Sequence, residues 1–443
     1  MHSAPAYSLK LILNIAFSLT AVGIVVRAGS AIKEIVFAGA FGASAETDAF
    51  ILAFTYAAFL PSVIGGGLGT VLIVALAGTN ASLRGRGLLT VAKWVAAVSV
   101  ACSVAVYGLA PYALSALFGL QGAALTNATT YALVMAPLGG TLFLCSAMNA
   151  LLHSEKQFYL AGFTPLATPV AIMLAIFLGA RQIGVEAAAW GAVLGGLAEL
   201  LILGTRVFSQ REVLFRAHEG HGDTRPGWMF WKSVGVLSCA DALAAMTPMV
   251  DQVFLAKLET GAITHFSYAF KVNSVLIGLL GTAFTITIYP YLSDLAAQRE
   301  SGALQRLTWR LAAIVLPVTA LATSLVYVYS HELVELLFSR GNFTAEDVAQ
   351  VSAIQRVFCF QLVFYIALLL AMPVLNALRA TRSVFYLACI GLTSTAFFNW
   401  LFYRDLGAAG IALSAVLTGA VGLVCALLFI KVALGRMTAS GSE

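Results

Sequence analysis

The sequence predicts an all-α polytopic membrane protein, with about twelve transmembrane helices in two six-helix, pseudo-symmetric lobes around a central cleft and both termini cytoplasmic. Three observations predict it. Of 443 residues, 60% are hydrophobic and only 10% are charged, too few charges for the surface of a soluble fold this size. The apolar stretches are continuous over ~20 residues, the length of a helix that crosses a bilayer core, and do not alternate over ~10-residue strands as a barrel would. The second part of the chain also repeats the first.

Breaks in the apolar pattern place six spans near 9–40, 46–77, 89–116, 124–152, 158–179 and 185–206. Six more follow near 228–256, 262–292, 305–328, 345–377, 383–401 and 407–431. The first span carries a lone Lys10 before a long apolar helix and no small-residue cleavage site, so it reads as a retained span. The one long polar stretch in mid-chain is FSQREVLFRAHEGHGDTRPG. It divides the chain into a lobe of residues 1–207, a cytoplasmic linker of 208–227 and a lobe of 228–443. With the N-terminus inside, seventeen Lys and Arg fall on cytoplasmic ends and loops and four, Arg181, Lys257, Arg340 and Arg404, fall outside. That bias follows the positive-inside rule, and one span more or fewer would scramble it. The net charge of +5 follows from this sorting and gives no reason to expect nucleic-acid binding.

Three pairs of segments carry the duplication. NALLHSEKQFYLA from Asn149 matches NALRATRSVFYLA from Asn376, GVEAAAWGAVLGG from Gly184 matches GAAGIALSAVLTG from Gly407, and FILAF from Phe50 matches FSYAF from Phe266, with Gly65 and Gly281 in register beyond. The offsets are 227, 223 and 216 residues, in the same order along the chain, which chance similarity of apolar sequence does not give. Two halves with an even number of spans insert the same way up, and the working site of such a pair is the cleft between them.

Enzyme chemistry is not indicated. There is no phosphate-binding GxxxxGK[ST] loop, HExxH helix, nucleophile elbow or catalytic carboxylate pair. The six cysteines lie in apolar runs without CxxC spacing and read as small packing residues, so no disulfide, metal site or cofactor is expected. GGGLG at Gly65–Gly69 reads as close helix packing. His218 and His221 read as solvated linker residues.

The informative residues are charges where a span should be. Leu11 to Val26 is a run of sixteen uncharged, mostly apolar residues, ~24 Å of helix against a ~30 Å core, so Arg27 lies within the membrane or just short of its outer edge. Gly23, Arg27, Ser30 and Glu34 share one helical face, and Gly29-Ser30 offers a bend. Lys33 follows, nearer the interface. Asp48 admits two readings: Thr47 caps the second span with Asp48 in its first turn, favoured by the helix dipole, or Asp48 gates substrate or forms an ion pair. Asp251 and Lys271 lie deeper and either pair with each other or face Arg27 across the cleft. Asp241 and Arg356 make weaker claims of the same kind, and Glu199 reads as helix–helix glue. Arg27, Lys33 and Lys271, drawn from both halves, would give a positively charged cleft suited to an anion such as a pyrophosphate.

These residues resemble the start of the MurJ/MviN lipid II flippases of the MOP superfamily. Arg27-A-G-S-A-I-Lys33-Glu34, then F-G and Thr47-Asp48-A-F, is similar to that family's pattern, as are FSYAF-Lys271 and LFSRGNFT from Leu337. The resemblance covers nearly the whole chain in order. It implies translocation of an undecaprenyl-pyrophosphate-linked saccharide from the inner to the outer leaflet of a bacterial cytoplasmic membrane, by alternating access. It also implies Arg27, Lys33 and Lys271 as the substrate-binding cations and Asp48 as a matching acid, and the residue pattern adds Glu34 and Asp251 to Asp48 in gating or ion-pair roles. H+, Na+ or the membrane potential would drive a monomer. The chain departs from the family pattern in three ways: no basic residue stands early in the second span, which reads YAAFL-Pro61-Ser62, lysines replace two arginines, and twelve spans stand where the family commonly has two more. An exopolysaccharide or O-antigen repeat-unit flippase is therefore the alternative. A cation-coupled multidrug exporter of the same superfamily or a non-transporting scaffold are further readings.

Overall fold

The computed structural model describes residues 9–76, 85–211, 226–278, 301–377 and 381–439. Gly281, the far end of the eighth span and most of the linker, with His218 and His221, lie outside the described residues. Helices account for nearly all of the described chain, and it contains no strand. In order they are α1 (Leu9–Phe41), α2 (Ala45–Leu76), α3 (Arg86–Phe118), α4 (Gly122–Val134), α5 (Ala136–Ser154), α6 (Phe158–Phe163), α7 (Ala167–Ile183) and α8 (Glu186–Ser209). There follow α9 (Trp228–Leu255), α10 (262–278), α11 (Ser301–Val328), α12 (Ser330–Phe338), α13 (Ala345–Phe358), α14 (Gln361–Ala377) and α15 (Thr381–Ala439).

Seven of the described helices are long and apolar enough to cross a membrane, and nine spans result when two bent pairs count as one span each. The protein is a multi-pass membrane protein. Its outward side chains agree: Val100, Val104, Tyr107 and Tyr112 on α3 and Phe177 and Leu178 on α7 are more than half exposed, a pattern that suits hydrocarbon and not water. Proline inside α2, α3, α9 and α11, at Pro61, Pro111, Pro248 and Pro317, fits the same setting, because neighbouring helices in a bundle re-satisfy the freed carbonyls. Of the six cysteines, Cys102, Cys145 and Cys359 are buried while Cys239 is exposed, so the expectation of packing residues holds for only part of the set.

Local chemistry sets the helix ends. Ser44 and Thr47 cap the start of α2 reciprocally, the Ser44 N–H donating to Thr47 Oγ1 at 2.7 Å and the Thr47 N–H to Ser44 Oγ at 3.3 Å. The cap is thus Ser44, three residues before the Thr47 expected from the sequence. At α13, Thr344 and Asp347 form the same box. α1 runs as one uninterrupted helix, so the bend expected at Gly29-Ser30 is not marked by any break.

The duplicated segments take matching backbone conformations. Gly184, before α8, has φ 60° and ψ −138°, and its counterpart Gly407, which splits α15 into two arms, has φ 56° and ψ −138°. A side chain would be strained at both. The bent pairs correspond too, α4 with α5 at 46° and α13 with α14 at 41°.

Within the first part, α2 packs on α3, α4 and α5, α5 on α8, and α8 on α7. In the second, α11 packs on α14, and α13 and α14 pack on α15. Long contacts of α9 with α2 and with α15 join the two. The GGGLG stretch is a packing device, as expected: Gly65 lies against Ser146 of α5, while Gly66 and Gly67 lie against Asp241 and Ser238 of α9. Glu199 of α8 is buried and hydrogen-bonded to Asn149 of α5, the internal contact expected of it. The backbones of α7 and α8 approach closely, and a Cβ on Gly195 would stand 2.5 Å from the Thr168 Cα. Gly195→Leu should separate these helices and lower thermal stability by about 1–3 kcal/mol. Gly204→Ala, whose Cβ meets nothing within 4 Å, should leave stability unchanged or raise it by up to about 1 kcal/mol. Thermal unfolding of the detergent-solubilised protein measures both.

Candidate functional site

α1 and α10 lie side by side and run in opposite directions, as two contacts two turns apart show. The Glu34 carboxylate meets Lys271, and the Arg27 guanidinium lies so close to Gly278 that a Cβ there would overlap it. Seven residues separate the contacts on either helix, ~10.5 Å along each axis, so a single seam brings charges from the two halves of the chain together.

Its centre is Glu34. Lys33 Nζ stands 2.7 Å from Glu34 Oε1 and Lys271 Nζ stands 3.1 Å from the same oxygen. The Glu34 side chain is 13% exposed, against 20% for Lys33 and 44% for Lys271. Glu34 is thus the most buried of the three, and all three line a cavity of about 290 Å³. Aromatic residues of α1, α2 and α10 form much of the wall, and Asp251 and Gln252 of α9 close the other side. Asp251 accepts a hydrogen bond from the Asn399 amide at 2.7 Å, and Gln252 donates to Thr55 of α2 at 2.9 Å.

Several expectations are corrected here. Asp251 and Lys271 do not pair with each other: Lys271 reaches Glu34 and Asp251 reaches Asn399. The cleft is also not simply positive, because Glu34 and Asp251 oppose Lys33 and Lys271 on its wall. Arg27 stands two turns from this cavity and does not line it. Asp241 packs against the α2 glycines and Arg356 is exposed. The neutral partners Asn399, Gln252 and Thr55 were not singled out from the sequence, because an amide or hydroxyl in an apolar run carries no charge signal.

Asp48 takes a third role that neither sequence reading named. Its Oδ2 accepts from the Gly261 N–H at 2.7 Å, and its Oδ1 accepts from the Thr264 N–H at 2.8 Å and the Thr264 hydroxyl at 2.6 Å. A carboxylate of α2 thus caps α10, meeting free N–H groups and the positive end of the helix dipole. Around it the same end of the bundle is closed by other links. Asn342, in the LFSRGNFT segment, donates its N–H to the Gly39 carbonyl at 2.9 Å and its amide to the Ala40 carbonyl at 2.6 Å. His265 meets Asp347 at 2.8 Å. Gly341 has a φ of +60° and sits where any Cβ would strike the Gly39 carbonyl, so glycine is required there on both counts.

The described residues contain no cluster of His, Cys, Asp and Glu suited to a metal ion. Compared with known proteins, the chain matches the family model described as "Lipid II flippase MurJ" over residues 37–442. Lipid II flippase MurJ of Burkholderia cenocepacia is 25% identical over 399 residues, 86% of this chain and 76% of that protein. A probable lipid II flippase MurJ of Bdellovibrio bacteriovorus is 22% identical over 66% of this chain and 56% of its own length, so the match spans little more than half of that relative. Among solved structures, a lipid II flippase MurJ in an inward closed conformation superposes with a TM-score of 0.79 at 19% identity, covering 96% of this chain and 90% of that one. An inward-facing multidrug resistance MATE transporter of the MOP superfamily gives 0.71 at 15% identity over 99% and 97%. These likenesses show a shared fold.

The cap on α10 yields a direct prediction. Asp48→Ala leaves the Gly261 and Thr264 N–H groups without their acceptor while the Thr264 hydroxyl keeps Thr47, a loss of about 1–2 kcal/mol in helix capping. Amide exchange of the 258–268 segment should speed up about tenfold, as hydrogen–deuterium exchange mass spectrometry would record, with Asp48→Asn intermediate.

Proposed function

The chain belongs to the lipid II flippase MurJ family, and from that premise we propose that it moves an undecaprenyl-pyrophosphate-linked saccharide, lipid II or a close relative, between the leaflets of a bacterial cytoplasmic membrane. One observation carries this reading: two lysines, Lys33 from the first half and Lys271 from the second, converge on a single acid at the wall of an internal cavity. Ammonium groups held by a carboxylate are the groups that a pyrophosphate would engage, and an anion entering the cavity competes with Glu34 for both. Arg27, two turns along the same seam, would meet the anion on its way in or out.

We propose the twelve-span, two-lobe architecture with both termini cytoplasmic as the frame. The matching torsions at Gly184 and Gly407 and the matching bent pairs support a duplicated unit, and the distribution of basic residues supports the orientation. In that orientation the end closed by Asp48, Asn342 and the His265–Asp347 pair faces outward. Alternating access then consists of parting these links while the opposite end closes. Asp48 serves as a gate element through its cap on α10, and Asp251 as a polar group of the cavity wall held by Asn399. H+, Na+ or the membrane potential supplies the drive, and the protein works as a monomer without a cofactor.

The MATE-like fold keeps a second reading in view, a cation-coupled exporter, and Asp251 on the cavity wall is the residue that favours it. Replacing Arg27, Lys33 and Lys271 singly by Ala separates the two. Loss of one charge-assisted contact to phosphate is worth about 1.5–3 kcal/mol, roughly ten- to a hundredfold in affinity. Each variant should insert normally and fail to sustain growth of a flippase-depleted strain. Full complementation by all three would contradict an anionic substrate, and resistance to cationic drugs on overexpression would favour the exporter.

A further inference from the structure

The cavity beneath Lys33 and Lys271 continues into the second half of the chain. Pro248, Asp251 and Phe270 line it on one side and on the other line a second cavity of about 410 Å³. This inner space lies among α9, α13, α14 and both arms of α15. Phe358, Tyr365, Leu368 and Met372 supply its aromatic and aliphatic wall, and Gly391, Gly419 and Gly422 withhold side chains opposite them. Most polar side chains along it are engaged: Asp251 by Asn399, Gln361 by Asn273, Thr395 with Thr418, and Thr247 with the Leu243 carbonyl. A wall of this kind gives a polar guest few partners and suits hydrocarbon.

We infer that this inner cavity receives the phosphate-proximal stretch of the substrate's polyprenyl chain while its pyrophosphate engages Lys33 and Lys271. The inference rests on the proposed substrate class. It follows from adjacency: a cavity that presents two lysines and an apolar one share three wall residues, and only an amphiphile with the anion joined directly to hydrocarbon fills both. The second half would then read the lipid and the α1–α10 seam the headgroup, so selection would require both parts in one molecule. Burial of successive isoprene units makes this site a contributor to affinity that a free sugar pyrophosphate cannot use.

Gly391 offers a clean test, because a Cβ placed on it meets nothing within 4 Å while the residue borders the inner cavity. The full-length protein in detergent would be titrated with two ligands carrying the same saccharide pyrophosphate, one ending in a polyprenyl chain and the other in a methyl group. Gly391→Leu, and independently Leu387→Trp one turn away on the same wall, should each weaken the polyprenyl ligand about tenfold and the methyl ligand by less than about twofold. Gly391→Ala should change neither, and thermal unfolding confirms that each variant is folded. Unchanged polyprenyl affinity in both filling variants, or an equal loss for both ligands, would overturn the inference and place the chain elsewhere, including among membrane lipids outside the bundle. Wild-type protein that binds the two ligands equally well would overturn it while leaving the substrate class intact. Wild-type protein that binds neither would overturn the substrate class and this inference with it.

Discussion

The arrangement depends on one carboxylate. Glu34 holds two ammonium groups on a single oxygen, one from its own helix and one from α10. A charged side chain inside a membrane costs at least ~2.5–3.5 kcal/mol on insertion scales, and removing one partner from a buried pair strands the other. The bridge therefore fixes α10 against α1, and with it the relation of the two halves along that side. On the other side α9 packs along α2, with Gly66 and Gly67 allowing close approach.

The two kinds of contact between the halves differ in what it costs to part them. At the closed end most links use backbone groups or neutral donors: Asn342 to the carbonyls of Gly39 and Ala40, and the N–H groups of Gly261 and Thr264 to Asp48. In the proposed cycle water replaces these as the end opens, at a net cost near 1 kcal/mol each. The lysine–glutamate bridge lies deeper, and only another anion can replace it. An end that opens to water and a centre that opens to an anion are the elements alternating access requires. The shared wall of Pro248, Asp251 and Phe270 sets an apolar interior directly beside the charged centre.

Much of this was legible in the sequence, for reasons tied to particular residues. Arg27, Lys33, Glu34 and Lys271 stood out because charge in an apolar run is expensive, and Gly184 and Gly407 because the repeat placed them in register. The sharing of Glu34 was not legible, since the spacing along α1 says nothing of which face α10 offers. The pairing of Asp251 with Asn399 was hidden likewise, because a neutral amide 148 residues away leaves no mark on hydropathy. Ser44 and Thr47 are both good caps, and only the backbone decides between them. The LFSRGNFT segment was visible as a motif, but its task of closing on Gly39 depends on a carbonyl that has no sequence signature. Positions 279–300 and most of the linker lie outside the described residues, so the expectations placed on them stand as drawn from sequence alone.

The central claim is that Glu34 holds the two lysines as an anion that the pyrophosphate replaces. Equilibrium binding of a lipid-linked pyrophosphate to Glu34→Gln, compared with the wild-type protein, tests it most directly. Freeing Lys33 and Lys271 from a competing carboxylate should tighten binding about tenfold, in line with the ~1.5–3 kcal/mol of a charged hydrogen bond less the cost of reorganising two side chains. Binding that is unchanged or weaker in Glu34→Gln would show that the carboxylate does not compete with the substrate, and would contradict the account.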